Sequence, residues 1–335
     1  MRLPSDWHAL LYMQPALTLQ VSEPKVILLP SLMAKSRKTI LITGCSRGGI
    51  GDALARRFHE AGFDVFATAR SLNSMEHLAS VGIRTMALDV TDIQALRKVK
   101  ANISEITGGK LDILVNNAGL AYPVAATDFD MSEVRPLFEV SLFAVMTMVQ
   151  EFVNLLIASG DACIVQTGSV SGFTPVPFSS AAYNASKAAL HAYGNTIRVE
   201  LAPFHIKVVN VLSRRCIRLA YADAVQIITG AVKSNIAKPR SLPSNSLYRP
   251  MEKLYQERHL NTSQQNATDT DVYAHEVVSE VLKPNPRAWF WAGARTMSAW
   301  VVDTFLPRRT FDLIMNKMYG FDTFVAMLQE NSKNV

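Results

Sequence analysis

Only three cysteines, Cys45, Cys163 and Cys216, are scattered through the 335 residues. They are too few and too far apart for a disulfide framework or a thiolate metal site, and a reducing compartment is expected. The seven histidines include no pair at metal-ligand spacing, so no metal is expected and no histidine is assigned a role. Uninterrupted apolar runs of the roughly 18 residues needed to span a bilayer are missing. Residues 8–21 are apolar but broken by Pro15, which argues against a signal peptide. Residues 288–306 (AWFWAGARTMSAWVVDTFL) are interrupted by Arg295 and Asp303, so lying on a membrane surface suits them better than crossing one. Sixteen glycines and 15 prolines follow no period, which excludes collagen-like and low-complexity chains.

What is present is an ordinary globular balance, 49% hydrophobic and 19% charged. The net charge of +6 and pI near 9.2 admit an anionic partner. Most of that excess, however, sits in two segments. Residues 1–37 carry four basic and two acidic residues, and residues 212–227 carry three and one. The first, with Pro4, Pro15, Pro24 and Pro30 and no periodicity, is expected to be an extension outside the fold, with Met33 an alternative start. The remainder is nearly neutral. No nucleic-acid partner is expected, and any membrane contact must rest on the apolar C-terminus.

From Lys38 short apolar runs alternate with helical periodicity. Strands are expected at 38–43 (KTILIT), 64–68, 84–88, 111–115, 162–167 and 207–211. Helices are expected at 50–61, 92–106, 137–159 and 183–201. Met146, Met148 and Val149 on the third of these are expected in the core. Such alternation predicts an α/β fold: a Rossmann-like, doubly wound parallel sheet in three layers. The domain is expected to span 38–293, followed by an apolar tail, 294–335, suited to a membrane or subunit contact. A homo-oligomer is left open.

The first strand runs into Thr43-Gly44-Cys45-Ser46-Arg47-Gly48-Gly49-Ile50-Gly51, directly before a helix. Glycines there let backbone N–H groups approach a pyrophosphate at the helix N-terminus. Strand two ends Ala67-Thr68-Ala69-Arg70, with no acidic residue to hold a ribose 2′-OH. Arg70, with Arg47 or Ser46, suits a 2′-phosphate instead, which favours NADP(H) over NAD(H).

Tyr183 and Lys187 stand four apart, on one helix face. A nearby ammonium favours phenolate and lowers the tyrosine pKa, so Tyr183 can deliver a proton to an oxygen forming at a carbonyl carbon. Ser169, after strand five, would sit at the carboxyl end of the sheet and hydrogen-bond the same oxygen.

With those motifs in order, residues 38–293 resemble the short-chain dehydrogenase/reductase superfamily. The matching features are the glycine turn, Asp89-Val90 after strand three, Asn116-Asn117-Ala118-Gly119 after strand four, Ser169, and Tyr183 with Lys187. The resemblance implies that Asp89 faces the adenine and that Asn117 supports the central sheet. It implies that Lys187 also holds the nicotinamide ribose, and that the 229–234 segment, with Thr229 and Ser234, touches the nicotinamide side. Thr43, Gly44, Ser46, Arg47, Gly49, Ile50, Gly51, Arg70, Val90 and Ala118 complete the expected cofactor contacts. VFATAR, PVPFSSA, TGAVKSNI and WFWAG resemble the fungal NADPH-dependent 1-acyldihydroxyacetone phosphate reductases. That resemblance implies a lipid ketone as substrate and work at the cytoplasmic face of endoplasmic reticulum or lipid droplets, or otherwise in the cytoplasm. Related fungal reductases act in secondary metabolism, which keeps a polyketide or steroid-like ketone as the alternative.

Three departures from the family pattern stand out. Ser141 occupies the place of an asparagine that helps hold a water in the proton relay, and its hydroxyl is expected to hold that water less well. One extra residue separates Ser169 from Tyr183, at Ala181-Ala182, where a loop is expected to absorb it. Residues 212–227 interrupt the passage to the 229–234 segment. They read as a retained in-frame intron rather than a gating loop. Together Ser141 and this insert motivate a third reading, a cofactor-binding protein with little turnover.

Overall fold

The computed structural model describes residues 37–178, 181–212, 241–260, 268–292 and 296–333. Residues 1–36 of the expected extension, Thr229, Ser234 and all of the 212–227 segment but its first residue lie outside them.

The described residues open with β1 (Thr39–Thr43), whose five residues are all buried. Ile40 and Ile42 point to one face of the sheet and Leu41 to the other, the two-residue period of a strand covered on both sides. Then follow α1 (Ile50–Glu60), β2 (Asp64–Ala69), the single turn α2 (Glu76–Ala79) and β3 (Arg84–Ala87). Helix α3 (Ile93–Thr107) starts where the Asp92 side chain accepts the Gln94 and Ala95 N–H groups, and stops at Gly108 in the left-handed region. Next come β4 (Ile113–Asn116), α4 (Met131–Phe138), α5 (Ala144–Ser159), β5 (Ala162–Thr167), α6 (Ala181–Leu201) and β6 (Ile206–Leu212). The C-terminal part holds α7 (Glu252–Leu260), α8 (Thr270–Val281), β7 (Trp289–Trp291), α9 (Thr296–Phe305), α10 (Arg309–Tyr319) and α11 (Phe321–Lys333).

The seven strands among the described residues are parallel in the order β3-β2-β1-β4-β5-β6-β7. One layer packs Leu54 and Phe58 of α1 and Tyr273 and Val277 of α8 against Ile42, Val65, Val115 and Val209. The other packs Leu96 and Ile103 of α3, Met148 and Phe152 of α5, and Ile197 of α6 against Leu41, Phe66, Leu114 and Ile164. This is the expected three-layer architecture. Strand order reverses between β1 and β4, so loops diverge above their carboxyl ends and leave a crevice.

Three differences from the sequence reading have local causes. The long helix begins at Met131 rather than 137, because Pro136, which reads as a break, lies inside α4. After it the helix widens into one π turn, Glu139–Phe143, before α5 continues. Ala181 and Ala182 are the first residues of α6, so the extra residue before Tyr183 falls in a helical turn and not in a loop. Finally, the 288–306 run is no single apolar surface element. Its Trp289–Trp291 portion is the edge strand β7, paired with β6 through Asn210↔Trp289 and Leu212↔Trp291.

Candidate active site

The turn after β1 is shaped by backbone demands. Gly44 and Gly48 both have φ of 75°, a conformation that side chains disfavour. A Cβ on Gly51 would stand 2.5 Å from the Gly44 carbonyl oxygen and 2.6 Å from Asn117 Nδ2, so only glycine fits there. Gly49 caps α1, and Ile50 begins it. Ser46, Arg47 and Gly48 are exposed at the tip, where N–H groups at a helix start suit a phosphate.

Neighbouring loops hold this turn in place. Asn117 donates from Nδ2 to the carbonyl oxygens of Thr43 (2.8 Å) and Gly44 (3.2 Å). The Thr43 hydroxyl accepts the N–H groups of Asn117 and Ala118, both at 3.0 Å, and donates to Val115 O. Thr43 is therefore committed to joining β1 to β4, and Asn117 supports the sheet as the resemblance implies. Asp52, buried in the first turn of α1, accepts the Gly48 N–H at 2.7 Å and lies 2.8 Å from His77 Nε2. Sequence reasoning missed both Asp52 and His77, because a lone acid and a distant histidine carry no spacing signal. Arg47 N–H donates to Ser74 O at 3.0 Å. The turn and the loop after β2 are thus tied together.

Arg70 is exposed at the end of β2, beside that loop. The Asp89 carboxylate accepts the Thr91 hydroxyl and N–H, and these bonds, with a smaller contribution from the Arg70 charge, hold it below the usual carboxylate range. Val90 is buried beneath it. The described surface above β1 and β2 accordingly offers N–H groups, hydroxyls and an arginine to a phosphorylated ligand.

Across the crevice, α6 carries Tyr183 and Lys187. Lys187 is 4% exposed and its Nζ donates to Thr167 O at 2.7 Å, at the end of β5. That ammonium lies 5.8 Å from the centre of the Tyr183 ring. Burial lowers the Lys187 pKa from its usual 10.5 to about 8, which leaves it charged at neutral pH. Ser169 follows β5 and is also buried; its Oγ accepts the Ser171 N–H at 3.2 Å and caps a short 3-10 turn. The three predicted residues therefore converge where β5 meets α6.

Ser141 sits inside the π turn, fully buried, and accepts the Leu120 N–H at 3.4 Å. Its hydroxyl ties the widened helix to the loop after β4.

Beyond Tyr183 the wall is aromatic. Phe178, with φ of 55°, packs against Tyr248, Tyr255, Tyr319 and Phe321 at ring separations of 5.0–6.0 Å. Tyr255 Oη donates to Pro123 O and Ser246 Oγ to Asp128, which fasten this cap to the loop after β4. The described part of the expected tail, 296–333, is helical, and α10 and α11 bury Tyr319 and Phe324 in the cap.

Comparison with known proteins agrees with this geometry. The profile of the short chain dehydrogenase family matches residues 38–214. Short-chain dehydrogenase RED1 of Pyricularia oryzae is 39% identical over 289 residues, 86% of this chain and 97% of its own. The NADPH-dependent 1-acyldihydroxyacetone phosphate reductase of Schizosaccharomyces pombe is 37% identical over 295 residues, 83% and 93%. A solved short-chain dehydrogenase from Streptomyces avermitilis, 23% identical, shares the fold with a TM-score of 0.66 over 90% of this chain and 97% of that one.

Proposed function

The chain belongs to the short-chain dehydrogenase family, and on that premise we propose that it reduces a ketone to a secondary alcohol with NADPH. The observation that carries this reading is the pairing of a buried Lys187 ammonium with Tyr183 at the exit of β5. A bound NADPH supplies the hydride. The chain's own residues handle the oxygen and the proton. Ser169 orients the carbonyl oxygen, and Tyr183 Oη gives its proton to that oxygen as negative charge builds there. Lys187, held by Thr167, favours the resulting phenolate electrostatically. NADPH over NADH is supported by the exposed Arg70 and by the lack of an acid at the end of β2.

For the substrate we favour a 1-acyldihydroxyacetone phosphate. The S. pombe relative bears that activity in its name, and an aromatic cap beside Tyr183 suits an acyl chain. A polyketide or steroid-like ketone is the second reading, since the same rings suit flat polycyclic molecules. A substrate panel of both classes, scored by NADPH oxidation, separates them. Tyr183→Phe is expected to lower kcat by about a thousandfold or more while NADPH binding, read by fluorescence, stays within twofold. Retained turnover in that variant would refute the assignment.

We further propose work at a lipid surface. Leu306, Leu313, Val325 and Leu328 are exposed large apolar residues on and beside α10 and α11, with Arg308 and Arg309 adjacent. Sedimentation with anionic phospholipid vesicles should fall severalfold in Leu313→Ser/Leu328→Ser, with turnover of a short soluble ketone unchanged. Equal sedimentation of the two proteins would remove this reading.

A further inference from the structure

We infer that His191 is a positioning residue that fixes Ser169 for the carbonyl oxygen. It rests on the proposed role of Ser169 and extends it to a side chain outside the Tyr-Lys pair. His191 follows Lys187 by one helical turn and Tyr183 by two, so all three line one face of α6. Helix α6 thereby grips the exit of β5 at two points. Lys187 holds the carbonyl of Thr167, and His191 Nε2 accepts the N–H of Ser169 at 3.3 Å.

The ring is held tightly. It is 3% exposed, stacks on Phe173 at 4.7 Å and 20°, and has the Trp289 ring 6.1 Å away. Gly172 makes room for it: a Cβ there would stand 2.4 Å from Cε1 of His191 and 2.5 Å from Nδ1. Because Nε2 accepts, the proton of the neutral ring resides on Nδ1. Burial, and secondarily the Lys187 charge, push the His191 pKa from 6.5 down to about 3, so the ring stays an acceptor through the working pH range. Ser169 is then fixed twice, its N–H by His191 and its Oγ by the Ser171 N–H. A histidine that merely filled space would not need an acceptor aimed at the backbone of the serine that orients the substrate oxygen.

A double-mutant cycle on the full chain tests this, with a ketone that the wild type reduces. His191→Phe keeps a flat ring but removes the acceptor. It is expected to lower kcat about tenfold, the scale of one hydrogen bond to a key group, with KM for NADPH within twofold. His191→Gln, which keeps an acceptor, should recover most of that loss. In the Ser169→Ala background His191→Phe should cost nothing further, since no hydroxyl remains to be placed. Amide exchange at Ser169 should quicken in His191→Phe and not in His191→Gln. An equal loss in both backgrounds, or a fall in kcat matched by a rise in KM for NADPH, would make His191 a packing residue and overturn the inference. Unchanged kcat and exchange in His191→Phe would overturn it as well. Wild-type activity in Ser169→Ala would instead overturn the role of Ser169 itself.

Discussion

Around the ends of β1 and β4 the wall of the site is main chain, whereas around Phe178 it is side chain. At the first, Gly44, Gly49 and Gly51 meet backbone atoms, and Asn117 and Asp52 spend polar groups on carbonyl and N–H partners. At the second, rings from a loop, from α7 and from α10 and α11 fill one pocket between them. Backbone geometry tolerates few residue types, while a hydrophobic cluster accepts many of similar volume. The first region should therefore be brittle and the second adaptable. A family whose members share one cofactor site and diverge in substrate needs that division.

Parallel glycine substitutions put the contrast to its hardest test. Gly51→Ala forces a methyl group against the Gly44 carbonyl at 2.5 Å, and neither backbone atom can swing away. A stability loss of about 2–4 kcal/mol is expected, with NADPH binding weakened by about a hundredfold or more, read by calorimetry. Gly320→Ala, at the junction of α10 and α11, meets only the tip of Leu254, although its φ of 68° still disfavours a side chain. About 1 kcal/mol is expected there, with NADPH affinity unchanged and KM for the ketone raised severalfold. Comparable losses of NADPH affinity in the two variants would erase the distinction between brittle and adaptable walls.

The same contrast explains what could be read beforehand. The six strands from β1 to β6 are legible to within two residues at every end, because each is an apolar run beside a turn signal. Strand β7 was not, since three residues of WFW have no period, and its pairing with Asn210 is set by a distant partner. Tyr183, Lys187, Ser169 and Asn117 were legible because spacing or order of elements marks them. The partner of Ser141 was not. Its hydroxyl accepts the Leu120 N–H from within the π turn after Pro136, and keeps a donor and a second lone pair for the expected water. His77, His191 and Asp52 act through contacts between residues 4 to 25 apart, which no motif encodes.

Lys187, at the end of β5 and beside the Tyr183 ring, offers the smallest but most discriminating effect. Its ammonium is buried and donates to Thr167 O. In the folded chain its pKa is lowered from 10.5 to about 8, so below pH 8 the lysine is charged in both folded and unfolded states and the burial cost is fully present. Between pH 8 and 10.5 the unfolded chain binds more protons than the folded one, so wild-type stability gains as pH rises across that window. Lys187→Met removes the charge at similar length while leaving Thr167 O without its donor, an opposing loss. The cofactor-free variant should then be more stable than wild type at pH 7 by about 1 kcal/mol, with turnover lost. That margin should shrink as pH climbs from 8 toward 10. Paired thermal melts at pH 7 and pH 9.5 decide it. A variant less stable at pH 7, with a difference that ignores pH, would mean that the Thr167 bond outweighs burial. Lys187 would then support the fold rather than be held in its charged form at a cost to stability.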